Sequence, residues 1–205
     1  IDNINNLCVS NPIKNLKVLD IGCGSCSVGY SLDQSVQYYG VDPDPYVLNK
    51  KFKPRDNIYK LFGEFSRRQL ELDTTHNLIN FNTIILNNSL YYFDCHKLIT
   101  ILNHVSLVGT KIYVLNIFLD DVLSFDFNNN FYVHIKQEGE LSHFKYPWIG
   151  DEEFSQKLIS TQTLRKSFNN YSWKLLENKT LHCPNHLKEF EVFIKLHKIL
   201  VFEKI

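Results

Sequence analysis

Four residues near the start of the chain have the types and spacing of a nucleotide-type site. They are Asp20, Gly22 and Gly24 in the run KVLDIGCGSCSVGY, Lys17 to Tyr30, and Asp42 in YYGVDPDP. An aliphatic run that ends in an acid and breaks into closely spaced glycines is how a strand passes into a turn whose backbone can approach a ligand. The dinucleotide pattern G-x-G-x-x-G needs a third glycine where this chain has Ser27, and the next glycine is Gly29. Charge is the second discriminator. Asp20 lies two residues before Gly22, so its carboxylate is expected to point into the mouth of the turn, where a pyrophosphate would meet like charge at short range. A cationic, phosphate-free ligand is favoured there, and Asp42, ending the next strand, is placed to accept from ribose hydroxyls.

These residues need strands and turns to position them. Lys17 to Ile21 reads as a buried strand, Cys26 to Asp33 as a short helix entered through glycines, and Tyr38 to Val41 as a second strand. Asp42-Pro43-Asp44-Pro45 is a turn and a helix start, with the helix running from about Tyr46 to Phe52. Asn57 to Phe62 is a third strand, Glu64 to Leu72 a helix, and Phe81 to Leu86 a central strand followed by the polar loop Asn87-Asn88-Ser89. Asp94 caps a helix over His96 to Val108, which carries apolar residues at Leu98, Ile101, Leu102 and Val105 and ends at Gly109. Lys111 to Phe118 is the next strand. This β-α succession implies an α/β fold with a mostly parallel sheet covered on both faces. Beyond it, Phe131 to Ile135 and Leu141 to Trp148 read as a hairpin insertion around Gly139 and Phe154 to Phe168 as a helix. Tyr171 to Glu177 and Ile199 to Glu203 read as late strands, with Leu187 to Lys195 helical between them.

With 205 residues, 44% of them hydrophobic, the chain can fill one core, so a single domain over 1–205 is expected. It begins at Ile1 and lacks methionine, which reads as a domain excised from a longer polypeptide. No apolar run of about eighteen residues and no charged-then-apolar leader is present, so a soluble, cytoplasmic protein without membrane contact is expected. Twenty-two basic and twenty-two acidic residues cancel, so any RNA contact must be local. Lys50, Lys51, Lys53 and Arg55, followed by Arg67 and Arg68, are the basic cluster. Cys8, Cys23, Cys26, Cys95 and Cys183 read as reduced thiols, and Cys23-x-x-Cys26 as incidental to the glycine turn, since no second pair or nearby His completes a metal site. His76, His96, His104, His134, His143, His182 and His186 show no ligand spacing, so no metal is expected.

S-adenosylmethionine, with a sulfonium, an ammonium, a ribose and no phosphate, meets the description of the ligand. VLDIGCG followed by YYGVDPDP resembles motifs I and II of the class I S-adenosylmethionine-dependent methyltransferases. That resemblance implies a Rossmann-like, mostly parallel seven-stranded sheet with an antiparallel C-terminal strand. It also implies that Asp20, Gly22, Cys23 and Gly24 line the methionine part of the cofactor and that Asp42 and Pro43 lie at the ribose. Asn87 and Ser89, in the loop after the fourth strand, complete the expected cofactor set.

Leu90-Tyr91-Tyr92-Phe93-Asp94 is similar to the aromatic motif after the fourth strand of mRNA cap guanine-N7 methyltransferases, and GVDPDP and the closing ILVFEK are similar to the same family. The likeness is to the methyltransferase domain of large DNA virus capping enzymes of the African swine fever virus and poxvirus type, and it implies capped RNA and other capping domains as partners. By that resemblance Tyr91 and Tyr92 meet the base, the acidic cap contact falls near Gln156 with Glu152 and Glu153 as substitutes, and His197 stands where the family has a late aromatic. The charge run from Lys50 to Arg55, with Lys51 and Arg55, is either the contact to the cap triphosphate or a solvated face. The family's histidine is Leu90 here and its upstream lysine is Val9. Tyr146-Pro147-Trp148 is a further aromatic stretch beside the expected pocket. No catalytic acid or base is expected, because guanine N7 carries a lone pair and no proton near neutral pH. A small-molecule or other RNA methyltransferase, and a non-catalytic stimulatory subunit of the same fold, remain open on the sequence.

Overall fold

The computed structural model describes residues 16–48, 55–62, 80–90, 93–120, 133–138, 141–145, 156–181 and 197–205. In chain order the elements are β1 (Lys17–Ile21), α1 (Ser27–Ser31), β2 (Gln37–Asp42), α2 (Pro45–Leu48), β3 (Ile58–Phe62), β4 (Phe81–Asn87), α3 (Cys95–Val105) and β5 (Ser106–Ile117). They continue with β6 (Val133–Glu138), β7 (Leu141–Lys145), β8 (Gln156–Ile159), α4 (Thr161–Asn169), β9 (Trp173–Thr180) and β10 (His197–Lys204).

Seven strands form one sheet in the order β3-β2-β1-β4-β5-β10-β9. All neighbouring pairs from β3 to β5 are parallel, and β10 runs antiparallel to both β5 and β9. Strand order reverses between β1 and β4, so the carboxyl ends of these two strands flank the switch point where ligands of open α/β sheets sit.

The near-continuous apolar character of KVLDI follows from cover on both faces. Because successive residues point to opposite faces, Leu19 and Ile21 join Tyr39, Val41, Ile84 and Leu86 in the larger core beneath α3 and α4. Val18 instead joins Tyr38, Ile85, Leu32 and Val36 in a second core beside α1. Asp20 therefore faces the α1 side, between two apolar layers. The α3 helix starts where Asp94 accepts from Lys97 N at 3.0 Å, and it buries Leu98, Ile99, Leu102 and Val105.

Three boundaries differ from the sequence expectation. First, α3 stops at Val105, and Gly109 lies inside β5 rather than at the helix end. Pairing with β4 jumps from Phe81↔Ser106 to Thr83↔Lys111, so residues 107–109 bulge outward beside the buried Thr110, with Gly109 at φ +84° in open space. The helix end is secured by Lys204, whose ammonium donates to the carbonyls of Asn103 at 2.7 Å and Ser106 at 2.9 Å. Second, the expected helix over Phe154 to Phe168 is a strand followed by a shorter helix. Gln156 to Ile159 pairs antiparallel with β7, and Ser160 then caps α4 by accepting from Thr163 N at 3.0 Å. The backbone hydrogen bonds offered by β7 outcompete one more helical turn at this point. Third, the insertion holds the expected antiparallel pair β6-β7, which β8 extends into a three-stranded sheet. The expected helices over Glu64 to Leu72 and Leu187 to Lys195 lie outside the described residues. No helix among the described residues is long and apolar enough to cross a membrane.

Candidate functional site

The turn after β1 is built by the backbone. Gly22 N and Cys23 N both donate to Val41 O, at 2.8 and 3.2 Å, fastening the turn to the end of β2. Gly22 has φ +71°, and a Cβ there would stand 2.5 Å from Ser89 Cβ, so only glycine lets this turn lie against the β4 loop. Gly24 N donates to Asp42 Oδ2 at 2.8 Å, and Asp42 Oδ1 accepts from Asp44 N at 2.9 Å. Asp42 thus ties the two turns together, and each oxygen keeps a lone pair for a further donor such as a ribose hydroxyl. Pro43 follows it, exposed.

Asp20 is not the open anion at the lip that its sequence position suggests. It is only 1% exposed, and its Oδ2 accepts from the hydroxyl of Tyr38 on the neighbouring strand. Burial pushes its pKa up to about 7, opposed by the Tyr38 hydrogen bond and reinforced by the nearby Asp42 charge. The reason is register. Asp20 pairs with Gly40, two residues past Tyr38, so the carboxyl and the phenol share the α1 face of the sheet.

The other carboxyl oxygen, Asp20 Oδ1, is buried without a hydrogen-bond partner among the described residues, and so are Asn87 Oδ1 and Ser89 Oγ. These three acceptors sit at the ends of the adjacent strands β1 and β4, and buried acceptors left unmatched cost about 1–3 kcal/mol each. Acceptors of this kind call for a ligand group that brings donors. The ammonium of S-adenosylmethionine is such a group, and the residues present fit it.

The expected cofactor residues Asp20, Gly22, Cys23, Gly24, Asp42, Asn87 and Ser89 are therefore brought together at the carboxyl ends of β1, β2 and β4. The acceptor-side residues are dispersed. His197 is buried at the start of β10, opposite Ile117 at the end of β5, and so stands at the same edge of the sheet. Gln156 opens β8, paired with Phe144. Leu90 is buried in the larger core, and Phe93 packs against that core. Lys51, Tyr91, Tyr92, Glu153, Val9 and Tyr146-Pro147-Trp148 lie outside the described residues.

Arg55 corrects an expectation. It precedes β3, at the amino ends of the strands, away from the glycine turn. Its guanidinium donates to the carbonyls of Tyr30 at 3.0 Å and Leu32 at 3.3 Å and to Asn57 Oδ1 at 3.3 Å. These bonds secure the end of α1, so Arg55→Ala is expected to cost about 1.5–3 kcal/mol of stability. A urea midpoint shifted by less than about 0.5 kcal/mol at constant m would detach Arg55 from the end of α1.

Tyr38 and the packing of Cys23 on Cys26 were not visible in the sequence. The signal for Tyr38 was its place in the second strand, but pairing it with Asp20 requires the register.

No family model and no curated protein matches this sequence. Solved structures do. The chain superposes on the PH0226 protein from Pyrococcus horikoshii with TM-score 0.67 at 15% identity, covering 100% of this chain and 89% of that one. An S-adenosylmethionine-dependent methyltransferase from Clostridium acetobutylicum gives TM-score 0.63 at 13% identity, covering 99% and 89%. One from Mesorhizobium loti gives 0.64 at 9% identity, covering 95% and 93%. The chain has the Rossmann-like fold of these proteins, with seven strands and the antiparallel strand next to last in the sheet.

Proposed function

We propose that this chain is an S-adenosylmethionine-dependent methyltransferase whose acceptor is guanine N7 of an RNA 5′ cap. The observation that carries the donor is that three of the unmatched buried acceptors among the described residues, Asp20 Oδ1, Asn87 Oδ1 and Ser89 Oγ, stand at the carboxyl ends of β1 and β4 beside a glycine turn tied to Asp42. The structures that share this fold include proteins described as methyltransferases with this donor. When bound, the donor supplies an electrophilic methyl group on a sulfonium. Asp20, Asn87 and Ser89 hold its ammonium, and Asp42 accepts from its ribose.

The acceptor rests on the resemblance of Leu90-Tyr91-Tyr92-Phe93-Asp94 to the cap enzymes. N7 needs no base to remove a proton, so positioning alone is the task, and it can supply on the order of 7–11 kcal/mol. Tyr91 and Tyr92 stack on the guanine at about 1–3 kcal/mol each, Lys51 meets the triphosphate, and Glu153 or Gln156 and His197 border the base. Capped RNA and the other domains of a capping polypeptide are then its partners.

The deciding assay offers labelled donor with GpppG-capped RNA and, separately, with metabolite pools. Label on N7 of the cap guanine, located by mass spectrometry, is expected. Label on another atom or only on a metabolite would reject the acceptor, and no donor binding at all would reject the class.

A further inference from the structure

The sulfurs of Cys23 and Cys26 lie 3.5 Å apart, within the glycine turn that fastens to Asp42. The four residues from Cys23 to Cys26 form a closed β-turn, with Cys26 N donating to Cys23 O at 3.0 Å. Such a turn brings its end Cα atoms within about 7 Å, and a disulfide spans Cα atoms about 4.4–6.8 Å apart. Room for the pair is made by Gly40. A Cβ there would stand 2.7 Å from Cys26 Sγ and 2.8 Å from Cys23 Sγ. Cys26 is fully buried in the left-handed conformation at φ +61°, while Cys23 is half-buried. A half-buried cysteine, a fully buried partner whose sulfur touches it and a turn of the right span are the parts of a dithiol that can close.

We propose that Cys23 and Cys26 are a covalent modification site, a dithiol that a small-molecule disulfide of the glutathione class converts to an intraloop disulfide. Cys23 loses its proton to water, and its sulfur attacks the small disulfide, expelling one thiolate. Cys26, its proton also passing to water, then attacks the Cys23 sulfur and expels the second thiolate. Two protein thiols are oxidised to one disulfide, and the small disulfide is reduced to two thiols. The contact between the two sulfurs, with burial and the nearby Asp20 and Asp42 charges, holds the Cys23 thiol well above its ordinary value while the same contact lowers that of Cys26, so the first attack is the slow step and the resolving step is fast.

Closure draws the sulfurs from 3.5 Å to about 2 Å and tightens the turn that carries Gly24 N, so donor binding weakens. This consequence, though not the closure, rests on the donor reading above. The test treats the full chain with glutathione disulfide and reads intact mass, a peptide map and donor affinity by calorimetry. A loss of two hydrogens in the Cys23–Cys26 peptide is expected, reversed by dithiothreitol, with donor affinity about tenfold weaker. Cys26→Ser should gain a glutathionyl group on Cys23 instead of losing two hydrogens. Recovery of both cysteines as free thiols in the wild type overturns the dithiol, and closure with undiminished affinity overturns its effect on the donor. If the reduced protein binds no donor, the methyltransferase reading fails while the mass change still decides the dithiol.

Discussion

Asp20→Asn is expected to weaken S-adenosylmethionine binding about a hundredfold, near 2.7 kcal/mol, while the protein stays folded and gains stability above neutral pH. Both effects follow from one buried carboxyl. Asn keeps the shape and can still accept from the Tyr38 hydroxyl, but it removes the charge that an ammonium meets at Oδ1. In the wild type the folded pKa is raised from an ordinary 3.8 to about 7. Between these values the folded chain holds a proton that the unfolded chain has lost. Stability from this group is therefore complete below about pH 4 and falls as pH rises through 7, by at most about 4 kcal/mol. The asparagine variant should lack that slope in urea titrations at several pH values.

The ligand reverses the sign. An ammonium beside Asp20 favours the ionised carboxyl, so donor affinity should climb by up to about tenfold per pH unit below 7 and level off there. It should decline again once the ligand's own amine loses its proton, near pH 8. S-adenosylhomocysteine carries the same ammonium and should follow the same curve, whereas 5′-methylthioadenosine, which lacks it, should show none. A wild-type affinity that is flat from pH 5.5 to 7 for the first two ligands would separate Asp20 from the ammonium.

Phe168→Ala is expected to remove about 3–5 kcal/mol of folding stability. Phe168 is fully buried on α4, stacks on Phe202 at 4.2 Å between ring centroids, and meets Trp173 edge-on at 5.9 Å. The three rings fix α4 to β9 and β10, and deleting one leaves a cavity that rigid strands cannot collapse into. Phe202 pairs with Ile112 near the amino-terminal half of β5, away from the glycine turn, so the fraction that remains folded should bind donor normally. A denaturation midpoint shifted by less than about 1 kcal/mol at constant m would show that the aromatic cluster does not anchor the helix.

The strands that matter are legible in the chain alone. KVLDI, YYGVD and FNTIIL are apolar runs bounded by turn residues, and such runs become central strands because only a doubly covered sheet can hide them. The order of elements is legible there too, and with it the edge of the sheet at which Asp20, Gly22, Gly24, Asp42, Asn87 and Ser89 gather. Local signals failed where distant partners compete. Gln156 to Ile159 carries a helical pattern, yet β7 supplies its hydrogen bonds, and Gly109 resembles a helix stop although the helix has already ended under Lys204. Arg55 reads as a phosphate contact because a charge run says nothing about which end of the sheet it will occupy. The tertiary structure alone decided the state of Asp20 and of the cysteine pair. Whether an acid is an open charge or a buried, Tyr38-bound carboxyl near pKa 7 depends on register between strands, and so does the space over Gly40 where two sulfurs meet. Spacing along a chain fixes which residues can be neighbours, but desolvation and contact are properties of the packed strands around them.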